Sequence, residues 1–204
     1  AMDGGYMGCG TKGGLAIITK VASMPMATAL VAGDVTMTKG FATLQSPPDT
    51  KKVFVGYSGF LGGANYGVAT DGKRLFINLV NNSIPYWSFP GVSVEQLPKW
   101  VRKDGSLIEH GDSYMVAVDT SGEVVWDALT GRVGSAQSSV HEGGVIVASG
   151  NGHLVFDTTS GAEIARLVHT TPNACNAPPT IATNNVAFAP HDTTDGVVIW
   201  NLSM

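Results

Sequence analysis

The sequence predicts an all-β protein assembled from repeated four-stranded antiparallel units, and three observations predict it. The first is composition: 204 residues hold 26 Gly and 10 Pro, and only 14% are charged, where globular chains average roughly 25% charged and about 7% Gly. The second is patterning: short apolar runs alternate with Gly, Asn and Asp pairs of the kind that close tight hairpins. The third is recurrence of that pattern at a period of about 40 residues, a length typical of a four-stranded repeat.

Composition also excludes whole classes. An apolar share of 44% supplies a core and argues against disorder. Twelve basic against sixteen acidic residues, net charge -4, disfavour a nucleic-acid-binding surface. No apolar run reaches the ~18 residues of a spanning helix, and heptads are absent. Cys9 and Cys175 stand outside any C-x-x-C pattern. This removes structural zinc, thioredoxin-type redox and haem attachment, and leaves two free thiols or one disulfide open. Ala1 to Gly5 has neither a basic nor an apolar leader region and reads as a processed or engineered end.

Taken in order, Gly8 to Ile18 is expected as a hairpin, and Ala29 to Met37 as another with Gly33-Asp34 at its turn. Ser46-Pro47-Pro48-Asp49 breaks the chain, and Lys52 to Val55 is a further strand. Three segments then superimpose. Gly62 to Gly72 leads into Leu75-Phe76-Ile77-Asn78, Gly134 to Gly144 into Val145-Ile146-Val147-Ala148, and Cys175 to Asn185 into Val186-Ala187-Phe188-Ala189. Their turns are Asp71-Gly72, Gly143-Gly144 and Asn184-Asn185, and the first carries Lys73 and Arg74 as extra residues. Between these copies, Met115 to Trp126 matches Leu154 to Ile164: an apolar strand ends at Asp119 or Asp157, a Thr/Ser-Gly turn follows, and a second strand leaves. The Asp carboxylate suits this place because it accepts hydrogen bonds from the amides of the turn. Gly196 to Leu202 opens one more such strand.

Two hairpins per period make a propeller blade. The expected architecture is a small or partial β-propeller of about four blades, one domain over residues 1–204, with an insertion between Leu79 and Asp112. Pro85, Trp87, Pro90, Pro98 and Trp100 make that insertion a loop, with one helical turn near Val94 to Arg102, placed on the binding face. Its open edges, the N-terminal segment and Val197 to Leu202, are expected to meet within one chain or between chains. The partners implied are a further propeller half or a second copy.

Asp119-Thr120-Ser121-Gly122 with Trp126 resembles the tryptophan-docking motif of quinoprotein propellers, with Ser121 for the usual Thr, a turn one residue shorter, and Ala165 in the Trp place of the second copy. Gly59 to Asn78, with Gly62-Gly63, Tyr66-Gly67 and Ala69-Thr70-Asp71-Gly72-Lys73-Arg74, resembles polyvinyl-alcohol-dehydrogenase-like quinoproteins. The likeness covers residues 53 to 204, with an echo at Gly10 to Ile18. It implies a propeller that holds pyrroloquinoline quinone and Ca²⁺ on its axis, oxidises alcohols, and works outside the cytoplasm, extracellular or periplasmic.

In such a fold the innermost strands line the axis. The segments before Val68, Val140 and Ile181 would place Asn65, Tyr66, Gln137 and Asn176 there, the amides to hydrogen-bond the quinone and Tyr66 to stack on it. Lys12, placed by the echo, is the nearby cation. The plainer role of these groups is to satisfy backbone and channel water. Asp119 and Asp157 read as turn caps rather than bases. The five His residues lack metal-ligand spacing, and Gly10 to Gly14 lacks the spacing of a phosphate loop. No catalytic residue or calcium ligand is assigned. Two function classes follow: a quinoprotein-like alcohol dehydrogenase or a piece of one, weakly active or inactive alone, and a non-catalytic propeller used as a binding and assembly scaffold.

Overall fold

A computed structural model describes residues 2–10, 15–20, 35–38, 41–44, 51–54, 67–80, 102–106, 112–132, 138–149, 152–168, 180–182, 186–190 and 197–201. Apart from a short 3-10 turn at Asp3–Gly5, the described regular elements are all strands. In chain order they are β1 (Tyr6–Gly10), β2 (Leu15–Lys20), β3 (Val35–Thr38), β4 (Phe41–Leu44), β5 (Lys51–Phe54), β6 (Val68–Thr70), β7 (Arg74–Val80) and β8 (Asp112–Asp119). They continue with β9 (Val124–Arg132), β10 (Ser139–His141), β11 (Gly144–Ser149), β12 (Gly152–Asp157), β13 (Glu163–Val168), β14 (Thr180–Ala182), β15 (Val186–Pro190) and β16 (Val197–Asn201).

The strands form antiparallel sheets: β6-β7-β8-β9 and β10-β11-β12-β13 with four strands each and β14-β15-β16 with three, all in simple up-and-down order, then β1-β2-β5, where the separate β3-β4 hairpin intervenes between β2 and β5. The first strands of neighbouring sheets lie side by side, β1 against β6, β6 against β10, and β10 against β14. This is the blade architecture of a β-propeller: sheets stacked face to face, with their innermost strands gathered together.

Side-chain alternation explains the stacking. In β7 and β8, Leu75, Ile77, Leu79, Tyr114, Val116 and Val118 face Ala16 and Ile18 of the preceding sheet. Phe76, Met115 and Ala117 point the other way, joining Trp126, Val145, Val147, Leu154 and Phe156. Ile146 and Val155 begin a third layer, with Ala165 and Leu167 packed on it. A strand buried on both faces reads as a continuous apolar run, as in Gly144-Val145-Ile146-Val147-Ala148-Ser149, buried throughout. Each large aliphatic or aromatic side chain so removed from water contributes roughly 1.5–3 kcal/mol.

The hairpins refine the expected turns. Asp71-Gly72 lies in the β6–β7 connection, with Gly72 at φ 93. The β10–β11 turn is Glu142-Gly143 rather than Gly143-Gly144: Gly144 already pairs with His141, and Glu142 and Gly143 carry φ 40 and 84. Two successive positive φ values give the turn whose twist suits a two-residue hairpin. Thr70 opposes Leu75 and Val140 opposes Val145. The two connections therefore have equal length, and Lys73 and Arg74 are not extra residues. Ala182 opposes Val186 across Asn184-Asn185, which lie outside the described residues.

At the N-terminal end the β1–β2 hairpin and strand β5 form as expected. The second hairpin pairs Thr38 with Phe41, so its connection is Lys39-Gly40. Lys39-Gly40 and the expected turn Gly33-Asp34 both fall outside the described residues. β16 is the third strand of its sheet and pairs with β15, while β1 pairs with β2. Among the described residues no ladder joins these two ends within the chain, so the first form of the expected meeting is not seen.

Candidate functional site

The best-defined polar architecture lies where sheet β6–β9 meets sheet β10–β13, at the end of the blades that carries the β6–β7, β8–β9, β10–β11 and β12–β13 turns. Asp119 ends β8, and its Oδ1 accepts hydrogen bonds from Ser121 N (2.8 Å), Ser121 Oγ (2.6 Å) and Glu123 N (3.0 Å). Asp157 ends β12, and its Oδ1 accepts from Thr159 N (3.1 Å), Ser160 N (2.6 Å) and Ser160 Oγ (2.7 Å). The serine sits one place later in the second turn because that turn is one residue longer.

Partial burial pushes Asp119 upward, but the bonds from Ser121, Glu123 and Gly122 outweigh it and hold the carboxyl below its ordinary value. The Ser160 hydroxyl and amide do the same for Asp157, helped by Thr159 and the charge of Arg74. A general base must be free to take a proton near working pH. Carboxylates already accepting three bonds and held low are caps, as the sequence indicated.

Thr158 is the junction between the sheets. Its amide donates to Gly143 O at 2.7 Å. Its carbonyl accepts from Arg74 Nη1 at 2.8 Å and from the Trp126 indole Nε1 at 2.9 Å. Arg74 is held for this by Asp71, whose Oδ2 is 2.8 Å from Nη1 and whose Oδ1 accepts the amides of Lys73 and Arg74. Trp126 lies against Phe76 and Phe156 and over Gly161, where an added Cβ would sit 2.6 Å from the indole Cδ2. The docking role read from Asp119 to Trp126 is therefore a physical contact between blades. Sequence reasoning singled out Trp126 and Asp71 but missed Thr158. A backbone carbonyl leaves no residue-type signal.

The expected axial residues Asn65, Tyr66, Gln137 and Asn176, together with Lys12, lie outside the described residues, as do Cys175, His110, His169 and His191. Val68, Val140 and Ile181, which follow the first four in sequence, do lie on the three adjacent innermost strands. Cys9 is an exposed free thiol on β1. Among the described residues no three His, Cys, Asp or Glu side chains converge on a point that would hold a metal ion. The described residues therefore do not supply a calcium cage of clustered side chains. No helix among them is long and apolar enough to cross a membrane.

No protein-family model matches the chain, and no curated protein matches it. Solved structures do match. One is the crystal structure of BamB from Moraxella catarrhalis, at 14% identity and a TM-score of 0.27, covering 97% of this chain and 82% of that one. At such values the likeness bears on neither activity nor partner.

Proposed function

We propose that this chain is a non-catalytic binding and assembly scaffold of the propeller type. What supports the reading is the use of the described charged groups. Asp71, Asp119 and Asp157 cap turns, Arg74 ties two blades, and the Asp127 carboxylate holds Arg102 at 2.9 Å. Apolar side chains meanwhile remain on the third and fourth strands of the sheets: Leu129, Ile164, Val168 and Ile199 are 44% to 67% exposed. Charged groups at the junction of these two sheets thus serve the architecture, and the apolar groups on the outer strands offer contact area to a partner. The partner class proposed is protein, including a further propeller half or a second copy through the sheet edges.

The test is dye reduction with alcohols, pyrroloquinoline quinone and Ca²⁺, on the full chain. Turnover at the protein-free rate is expected. Robust turnover that Asn65→Ala and Tyr66→Ala abolish would replace the scaffold with a dehydrogenase.

A further inference from the structure

The two four-stranded sheets are copies of one another, and comparing their outermost strands shows a difference in what covers them. The ladders fix the equivalence. Trp126 opposes Ala117 and Asp127 opposes Val116; Ala165 opposes Val155 and Arg166 opposes Leu154. Ala117 and Val155 each stand two residues before the capping Asp, so Arg166 occupies the place of Asp127. Both strands carry an extra residue at the same point: Val118 and Ala117 oppose Val124 and Trp126, while Phe156 and Val155 oppose Glu163 and Ala165. Val125 and Ile164 are thus equivalent bulge residues. A bulge interrupts the ladder and disfavours addition of another strand.

On β9 this edge is occupied by the chain's own turn at 102–106. Arg102 Nε and Lys103 N donate to the two oxygens of Asp127 at 2.9 and 2.7 Å, and Lys103 Nζ donates to the carbonyl of the bulge residue Val125. The turn closes on itself through Gly105 N to Arg102 O at 2.9 Å. Asp127 is left with 2% of its side chain exposed. The bulged edge therefore takes a short segment that docks by side chain onto the residue two places after the bulge.

On β13 no described segment occupies the equivalent strip, and its side chains are exposed. Ile164 and Val168 are 50% and 59% exposed, and the side chain of Arg166 is 56% exposed. Its charge is the reverse of Asp127. Glu163 holds one edge of the guanidinium, with Nε at 2.9 Å and Nη2 at 2.8 Å. An exposed pair of this kind contributes little, and the planar fork offers a second bidentate edge to a carboxylate.

We propose that the outer edge of β13 docks a short acidic segment of a partner protein, its carboxylate on Arg166 and flanking apolar side chains on Ile164 and Val168. The proposal rests on the scaffold reading above and names the partner's chemistry. Charge complementarity with the occupied copy carries it: a basic turn sits on Asp127, so an acidic one belongs on Arg166.

The experiment is fluorescence anisotropy on the full chain with a labelled peptide of alternating valine and aspartate, against its lysine-for-aspartate counterpart. The acidic peptide is expected to bind about tenfold or more tightly than the basic one. Arg166→Glu is expected to reverse the preference, and Glu163→Gln to strengthen the acidic peptide. Arg166 is exposed, so an unchanged melting temperature will show that the variant folds. Equal binding of the peptides, binding of neither, or indifference to Arg166→Glu overturns the proposal. So does sedimentation showing that Arg166→Glu dissociates a dimer without affecting the peptide, which would assign the strip to a second copy. These outcomes leave the dye-reduction test untouched, so failure here is distinct from failure of the scaffold reading.

Discussion

At the scale of single residues, Asp119 and Asp157 show how a carboxylate serves a fold. Each gathers the amides and the serine hydroxyl of the turn that follows it, and each is held below the ordinary carboxylate value. A folded-state pKa lower than that of the unfolded chain gives a contribution that is fully present above the unfolded value and is lost as pH falls through the folded one. The melting temperature is therefore expected to drop as pH falls below about 4, the unfolded carboxylate range. Asp157→Asn keeps an acceptor oxygen but removes the titration. It should melt lower than the parent near neutrality and show a shallower fall in acid. Calorimetry across that range checks this, and equal acid slopes in parent and variant would assign the pH dependence to other groups. These caps were readable in the sequence because Asp followed by Thr, Ser and Gly recurs at the end of an apolar run. Thr158 was not readable, because what it offers is a carbonyl that any residue carries.

At the scale of elements, the junction between the two complete sheets turns on one glycine. Gly161 carries φ 73, and a Cβ there would lie 2.6 to 2.8 Å from three indole atoms of Trp126. Gly143 carries a similar φ of 84 with nothing within 4 Å. The pair separates backbone strain from collision. Gly143→Ala should cost about 1–2 kcal/mol for the left-handed conformation, while Gly161→Ala adds overpacking of roughly 1–3 kcal/mol. Urea unfolding of both variants measures the difference, and equal costs would mean that Trp126 moves aside freely. The same junction shows why sequence reading stops where it does. Period-2 alternation and positive-φ residues are local, so the β6–β7 and β10–β11 hairpins and the β8–β9 and β12–β13 pairs follow from nearby residues. The bulges at Val125 and Ile164 have no Gly or Pro to announce them, although Trp126 beyond the first joins the layer shared with the next sheet and Ala165 beyond the second packs on Ile146 and Val155. The one-residue error at Glu142-Gly143 has a related cause, since Glu rarely takes the positive φ it adopts here.

At the scale of the whole molecule, the question is whether the sheets behave as separate units or as one. Phe76 is fully buried and belongs to the layer shared by β7, β8, β9, β11 and β12. The middle strands β7, β8, β11 and β12 are covered on both faces, so their amides should exchange with solvent most slowly, and the three-residue strands β6 and β10 faster. Phe76→Ala is expected to cost about 3–5 kcal/mol. If the shared layer couples the sheets, that loss appears in both. Slow amides of β11 and β12 would then exchange faster by the same factor as those of β7 and β8, although the substitution lies in β7. Acceleration confined to β7 and β8 would mean that each sheet opens alone and that the contact at Thr158 is a weak seam. Coupled exchange would instead explain the concentration of Arg74, Trp126 and Gly161 at one boundary. Apolar burial joins the sheet faces through their interior, and the hydrogen bonds to Thr158 fix one blade's register against the next.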